Sequence, residues 1–185
     1  MKRLFLALAA VAVIAGCTRN PEVLPPTEVA AVSYRNTGPT SLTLYTIVNR
    51  RTGAGAHTAL GVNASEKVLF DPAGGFKAEG LPRSGDVLYG FSPAFEAAYS
   101  SAHARTQYKV IKTTIPVSPE VASLALQKVK ANGSVASAHC AKSTSAILQT
   151  LPGFETIEQT YYPTVLEAQY DRLPGAKIET IIEDD

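Results

Sequence analysis

The chain has 185 residues, with 17 Lys and Arg against 16 Asp and Glu, 45% hydrophobic and 18% charged. That balance excludes a disordered or fibrous chain and suits one ordinary globular domain. The cations are scattered and form no dense basic stripe, which speaks against a nucleic-acid partner. Only Leu4 to Ile14 is apolar enough to enter a bilayer, and it falls short of the roughly 20 residues that a transmembrane helix needs.

Lys2 and Arg3 precede this run, and Ile14-Ala15-Gly16-Cys17 follows it as a small-residue cleavage site ending on a cysteine. The arrangement resembles a bacterial lipobox. The resemblance implies removal of residues 1–16 as a signal peptide, a diacylglyceryl group on the Cys17 sulfur, and acylation of the new amino group. Cys17 would then anchor the protein in a membrane, because two or three acyl chains hold where one is marginal. Thr18 stands where an Asp commonly retains such lipoproteins at the inner membrane, so the expected destination is the outer membrane, facing the periplasm. Residues 17–40 carry Pro21, Pro25, Pro26, Gly38 and Pro39 with little periodicity, the composition of a semi-extended tether. Residues 41–185 remain for a single α+β domain, long enough for one core without disulfide staples.

Within that domain Leu42 to Val48 alternates and is rich in β-formers, which predicts a strand, and Arg50 to Gly55 reads as a turn. His57 to Val62 and Lys67 to Asp71 flank the polar Asn63-Ala64-Ser65-Glu66, predicting a β-hairpin with its turn near Ala64 and with Leu60 and Leu69 buried. In such a hairpin His57 lies opposite or diagonal to Asp71. Pro72 to Gly75 ends the strand, and Ser84-Gly85-Asp86 turns into a short one. Pro93 to Ala104 suits a helix and Tyr108 to Ile115 a half-buried strand. Ser118 and Pro119 open a helix that Asn132-Gly133 closes; Ser137 is a plausible cap for another, placing Cys140 third in the helix. A short helix over Pro163 to Tyr170 and a strand over Lys177 to Ile182 complete the α+β reading.

Cys17 and Cys140 are the only cysteines, so lipidation of the first leaves the second alone. An unpaired thiol in an oxidising compartment points to intermolecular pairing or to a reactive group, and the alternative is a small buried hydrophobe. In the first turn of a helix a cysteine meets free backbone N–H groups and the positive end of the dipole, which favour thiolate. A nucleophile also needs a base within about 3 Å and a group that orients the base. His57 and Asp71 on one hairpin would supply both, although His57 also suits a structural histidine and Asp71 before Pro72 a turn former.

Gly55-Ala56-His57-Thr58-Ala59-Leu60-Gly61-Val62, Lys67-Val68-Leu69-Phe70-Asp71-Pro72-Ala73-Gly74 and Ala138-His139-Cys140-Ala141-Lys142-Ser143-Thr144-Ser145-Ala146-Ile147-Leu148 together resemble a circularly permuted papain-like thiol hydrolase. That branch is related to the NlpC-type peptidoglycan peptidases and to lecithin-retinol acyltransferases. The resemblance spans residues 41 to 155 and implies an antiparallel sheet packed against helices. It makes Cys140 the nucleophile, His57 the general base and Asp71 the residue that holds the imidazole tautomer. Two departures stand out: Gly85-Asp86-Val87 follows the histidine hairpin instead of preceding it, and His139-Cys140 replaces an Asn-Cys pair.

The expected function is therefore an envelope-anchored cysteine hydrolase that cleaves an amide or ester, in a peptidoglycan peptide, another peptide or an acyl substrate, through a thioester. A non-catalytic outer-membrane lipoprotein acting as a binding or assembly module is the alternative. His139 points away from Cys140 on a helix and is expected at the surface, and His103 at a helix end suits an imidazolium beside the dipole. No metal-ligand spacing among His57, His103, His139 and Cys140 and no phosphate-cradling loop is present, so neither a metal nor a nucleotide cofactor is expected.

Overall fold

The structure, a computed structural model, describes residues 24–184. The basic and apolar start of the chain, the Cys17 site and the first part of the 17–40 segment lie outside the described residues. The rest of that segment is not extended throughout. Pro26–Ala31 forms a short helix, α1, and Val29 and Val32, which alternation would put on opposite faces of an extended chain, both pack against the core. Past the helix, the Tyr34 carbonyl accepts the Lys67 N–H at 2.8 Å.

Ser41–Asn49 (β1) is an inner strand of the sheet, and its seven interior residues are all buried. Gly55–Asn63 (β2) returns beside it after a turn in which the Asn49 carboxamide oxygen accepts the N–H groups of Arg51 and Thr52, both at 3.0 Å. Lys67–Phe70 (β3) pairs with β2, and the small hairpin Arg83–Ser84 (β4) and Val87–Leu88 (β5) extends that edge. Tyr108–Pro116 (β6) and Lys177–Ile181 (β7) complete the other. The described residues thus form a seven-stranded open sheet, ordered β4-β5-β3-β2-β1-β6-β7, antiparallel at every pairing.

Both faces are covered, so β1 is buried along its whole interior and not on alternate residues. Pro93–His103 (α2) lies on one face, where Tyr99 meets Tyr45, Leu69, Phe91 and Val110. Pro119–Ala131 (α3), Cys140–Leu148 (α4) and Pro163–Tyr170 (α5) cover the other, around Leu42, Leu44, Leu60 and Phe70. Helix starts follow their caps. Ser92 and Ser118 accept the N–H groups of Phe95 and Val121 at 3.5 and 3.3 Å, each followed by a proline whose missing N–H costs nothing there.

The β2–β3 hairpin turns at 64–66 and buries both Leu60 and Leu69, as its composition predicts. Its ladder is shorter than the sequence reading, running only from Leu60↔Phe70 to Asn63↔Lys67. His57 and Asp71 therefore lie just past the end of the pairing.

One ionic cluster lies between sheet and α2. Glu96 accepts the Tyr45 hydroxyl at 2.8 Å, pairs with Lys112 at 2.7 Å, and pairs with Lys67. Burial pushes the Glu96 carboxyl up, but bonds from Lys112, Lys67 and Tyr45 bring it down to about 2, against 4.5 when free. A carboxyl lowered on folding contributes stability above its unfolded value, and that contribution is lost as pH falls through the folded one. Denaturant unfolding should therefore show stability falling between about pH 4.5 and 2, with a shallower decline in Glu96→Gln.

Candidate active site

The site begins where the sheet is interrupted. Pro72 ends β3, so the stretch of β2 before Leu60 has an outer edge that β3 does not cover. Along its other edge β2 carries a bulge: Ile47 pairs with His57 but Val48 pairs with Gly55, which makes Ala56 the extra residue. Bulges bend a strand and re-aim its side chains. Here the bulge immediately precedes His57, which shares the α2 face with Ile47 and Ala59.

His57 Nε2 lies 2.7 Å from Asp71 Oδ1, so the two residues that the hairpin reading paired do face one another. The Asp71 side chain is only 1% exposed. Oδ1 also accepts the Tyr99 hydroxyl at 3.2 Å, and Oδ2 accepts Arg83 Nη2 at 2.6 Å. Arg83 binds the Asp71 carbonyl through Nη1 at 3.1 Å as well. The loop after Asp71 wraps the carboxylate closely: a Cβ added at Gly74 would stand 2.0 Å from Oδ2, so only glycine fits.

Cys140 enters from the other side of the sheet. The helix does not start at Ser137 as its composition suggests, because Ala138 takes a left-handed backbone (φ 64) and breaks the chain's helical path. His139 occupies the cap position without a side-chain cap, its Nδ1 bonding the Ser137 carbonyl at 2.9 Å. Cys140 is thus the first helical residue and not the third. With Nε2 on Asp71, Nδ1 is the ring nitrogen left to face the thiol, and the charges of the two groups favour each other. Main-chain groups of Thr58, on the uncovered β2 edge, and of Ala141, in the first helical turn, also favour the thiolate.

The electrostatics follow from these contacts. Burial pushes the Cys140 thiol up, but the His57 bond and charge and the two backbone groups outweigh it and leave the thiol below its ordinary value. Burial lowers His57, while bonds and charge from Asp71 and Cys140 raise it to about 9. Burial raises Asp71, and His57 and Arg83 together hold it below the ordinary carboxyl value. The contacts favour the charged forms of the thiol, the imidazole and the carboxylate together, with a guanidinium beside the carboxylate.

His103, the last residue of α2, differs from the expectation of an imidazolium at a helix end. Burial lowers it, its ring packs 4.3 Å from Tyr99 and 6.3 Å from His57, and its Nδ1–H donates to the Tyr99 carbonyl at 2.8 Å. His139 is half-buried and stacks edge-on against Tyr161 at 5.3 Å, apart from the chemistry. Sequence reading missed Arg83 and Tyr99, whose only local signal is an arginine three residues before Asp86 across a tight turn.

A cleft of about 830 Å³ adjoins the site. Its walls are the loop from Ala73 to Ala78, the segment from Ser134 to Ser137, and Arg83. Cys140 and His57 are not among its lining residues; the shared wall is Arg83 and Gly74, beside Asp71, and the chain that leads into α4. Cys140 retains 7% exposure and the His57 side chain 17%. Among the described residues no group of three or more His, Cys, Asp or Glu side chains is placed to hold a metal ion, and no helix is long and apolar enough to cross a membrane.

A histidine raised on folding contributes stability in full below its unfolded value, and that contribution is lost as pH rises through the folded one. Unfolding should accordingly show an alkaline decline between about pH 6.5 and 9. Asp71→Asn should flatten it, move the His57 ring-proton NMR midpoint down, and cost about 1–3 kcal/mol by leaving the half-buried Arg83 without its nearest partner. No protein-family model, curated protein or solved structure matches the chain.

Proposed function

We propose that this protein is a cysteine hydrolase of circularly permuted papain-like, NlpC-type architecture that cleaves an amide or ester through a thioester at Cys140. The observation that carries the reading is the 2.7 Å bond between Asp71 and His57, with Cys140 near enough for the imidazole to hold the thiol below its ordinary value. Each member has a defined task. The Cys140 thiolate attacks the carbonyl carbon, and the negative charge that develops on oxygen is met by backbone N–H groups, that of Cys140 itself foremost. The His57 imidazolium gives its proton to the departing amine or alcohol as the carbon–heteroatom bond breaks. Neutral His57 then takes a proton from water, whose oxygen attacks the thioester and releases the acid and the thiol. Asp71 keeps Nε2 protonated and the ring turned so that Nδ1 faces sulfur throughout.

The N-terminal pattern sets the place of action. With lipid on Cys17 the domain works at the surface of a bacterial membrane, the outer one by the identity of Thr18, facing the periplasm. Substrates within reach there are peptidoglycan stem peptides, other peptides and acyl groups of lipids. Fractionation tests the anchor: Cys17→Ser should move the protein from the membrane to the soluble fraction, and an intact mass showing an unlipidated mature chain would remove it.

Alkylation tests the chemistry. Iodoacetamide should label Cys140 in the native protein appreciably below neutral pH, and His57→Ala should slow that labelling and shift its pH dependence upward. Labelling that tracks global unfolding and ignores His57→Ala would instead favour a non-catalytic binding or assembly module with a buried cysteine.

A further inference from the structure

Asp71 is the most enclosed charge in the site, and His57 alone does not account for how it is held. Its surroundings contain His57 from β2, Arg83 from β4, Tyr99 and His103 from α2, and Asp86 from the turn between β4 and β5. Of these only Arg83 carries a permanent positive charge. Arg83 grips Asp71 twice, at Oδ2 and at the main-chain carbonyl, and also donates to the Phe76 carbonyl at 3.3 Å. Asp86 Oδ1 stands 3.7 Å from Nη1 and restrains the guanidinium from behind. The carboxylate is thus divided: one oxygen belongs to the imidazole and the tyrosine, the other to the arginine.

We infer that Arg83 is a positioning residue of this site, which acts through Asp71 by keeping the carboxylate ionised and turned so that Oδ1 alone faces His57. The inference rests on the reading of Cys140, His57 and Asp71 as the catalytic set. Geometry explains the choice of residue. Three acceptors in different directions, Asp71 Oδ2 and the carbonyls of Asp71 and Phe76, need a planar fork of donors, which an ammonium cannot match. Without the arginine, a buried carboxylate bound only by an imidazole and a hydroxyl could rotate and offer His57 either oxygen. Arg83 also lines the cleft, so the same side chain joins the wall beside an incoming substrate to the group that orients the base.

Removing the guanidinium leaves Asp71 less firmly ionised and free to turn, so the carboxylate supports the His57 imidazolium less. The His57 midpoint then moves to lower pH, and the Cys140 ionisation, which the imidazolium favours, moves to higher pH. The iodoacetamide labelling profile of Cys140 and the His57 ring-proton NMR titration read the two limbs. In Arg83→Met the His57 midpoint should fall and the Cys140 limb rise, each by about half a pH unit or more. In Arg83→Lys, which keeps the charge but not the fork, both should move less. Adding Arg83→Met to Asp71→Asn should move neither limb further, because the route through Asp71 is already cut.

An Arg83→Met profile that loses amplitude with both limbs unmoved would reduce the arginine to a structural role and overturn the inference. A further shift on the Asp71→Asn background would overturn the route through Asp71. Should Arg83→Met alone fail to fold, the double variant leaves neither charge buried without a partner, and its comparison with Asp71→Asn, together with Arg83→Lys, decides the matter. A native Cys140 that is inert in the unsubstituted protein fails the proposed hydrolase before any Arg83 variant is made, so the two failures are told apart.

Discussion

A carboxylate with 1% of its side chain exposed stays charged only if the protein replaces the water it has lost. An isolated ion in such a place costs several kcal/mol, and it would neutralise itself before paying that. Asp71 escapes this because three donors converge on its carboxylate: the His57 imidazole, the Tyr99 hydroxyl and the Arg83 guanidinium, which also holds the Asp71 carbonyl. They come from three separate elements, β2, α2 and β4. The rest of the local architecture can be read as what brings those elements to one point.

The sheet does so by stopping early. Had β3 continued past Phe70, it would have covered the outer edge of β2 and the Thr58 main chain would have had a ladder partner. Pro72 prevents this, and the edge that opens is where the first turn of α4 arrives. His57 lies on the face covered by α2 and Cys140 on a helix that packs against the opposite face. The uncovered edge is the route by which residues from the two sides of a seven-stranded sheet reach one another. The bulge at Ala56 and the contact of Gly55 with Pro163, where a Cβ would approach to 2.8 Å, tie the start of β2 to the start of α5 and fix its direction at that edge.

Most of the fold was legible because its elements announce themselves locally. Ser118-Pro119 and Pro93 after Ser92 mark helix starts by cap chemistry, and Asn132-Gly133 marks an end by the left-handed Gly133 (φ 70). The His57–Asp71 pairing was legible from hairpin arithmetic, since the turn near Ala64 brings them diagonal to each other. What the sequence withheld was long-range or strained. Nothing local says that Tyr99 on α2 reaches across to Asp71, or that Glu96 gathers Lys67 and Lys112 from two strands. The start of α4 was misread because Ser137 has the composition of a cap, while the deciding feature, a left-handed alanine at 138, contradicts alanine's own preference. The expectation for His103 fails because burial disfavours the charged ring, and neither the nearby Asp71 nor the Tyr99 carbonyl outweighs it.

Departures from local preference cluster in this region. Among the described residues the non-glycine positions with positive φ are Ala73 and Ala138, one two residues after Asp71, the other two residues before Cys140. A left-handed alanine costs about 1–2 kcal/mol, and glycine would relieve it at either place. Both segments are tied to one carboxylate: Asp86 Oδ2 accepts the Ala73 N–H and the Val135 N–H, each at 2.8 Å. Asp86 therefore links the loop that follows Asp71 to the loop that leads to Cys140, and its hydrogen bonds offset the strain that both loops hold. A fold selected for stability alone has no reason to place an uncapped helix start, an uncovered strand edge, a buried ion pair and two strained alanines within one small region. Where independent local rules fail together, the compensating gain is sought in chemistry. At this point in the molecule the groups that meet are a thiol, an imidazole and a carboxylate.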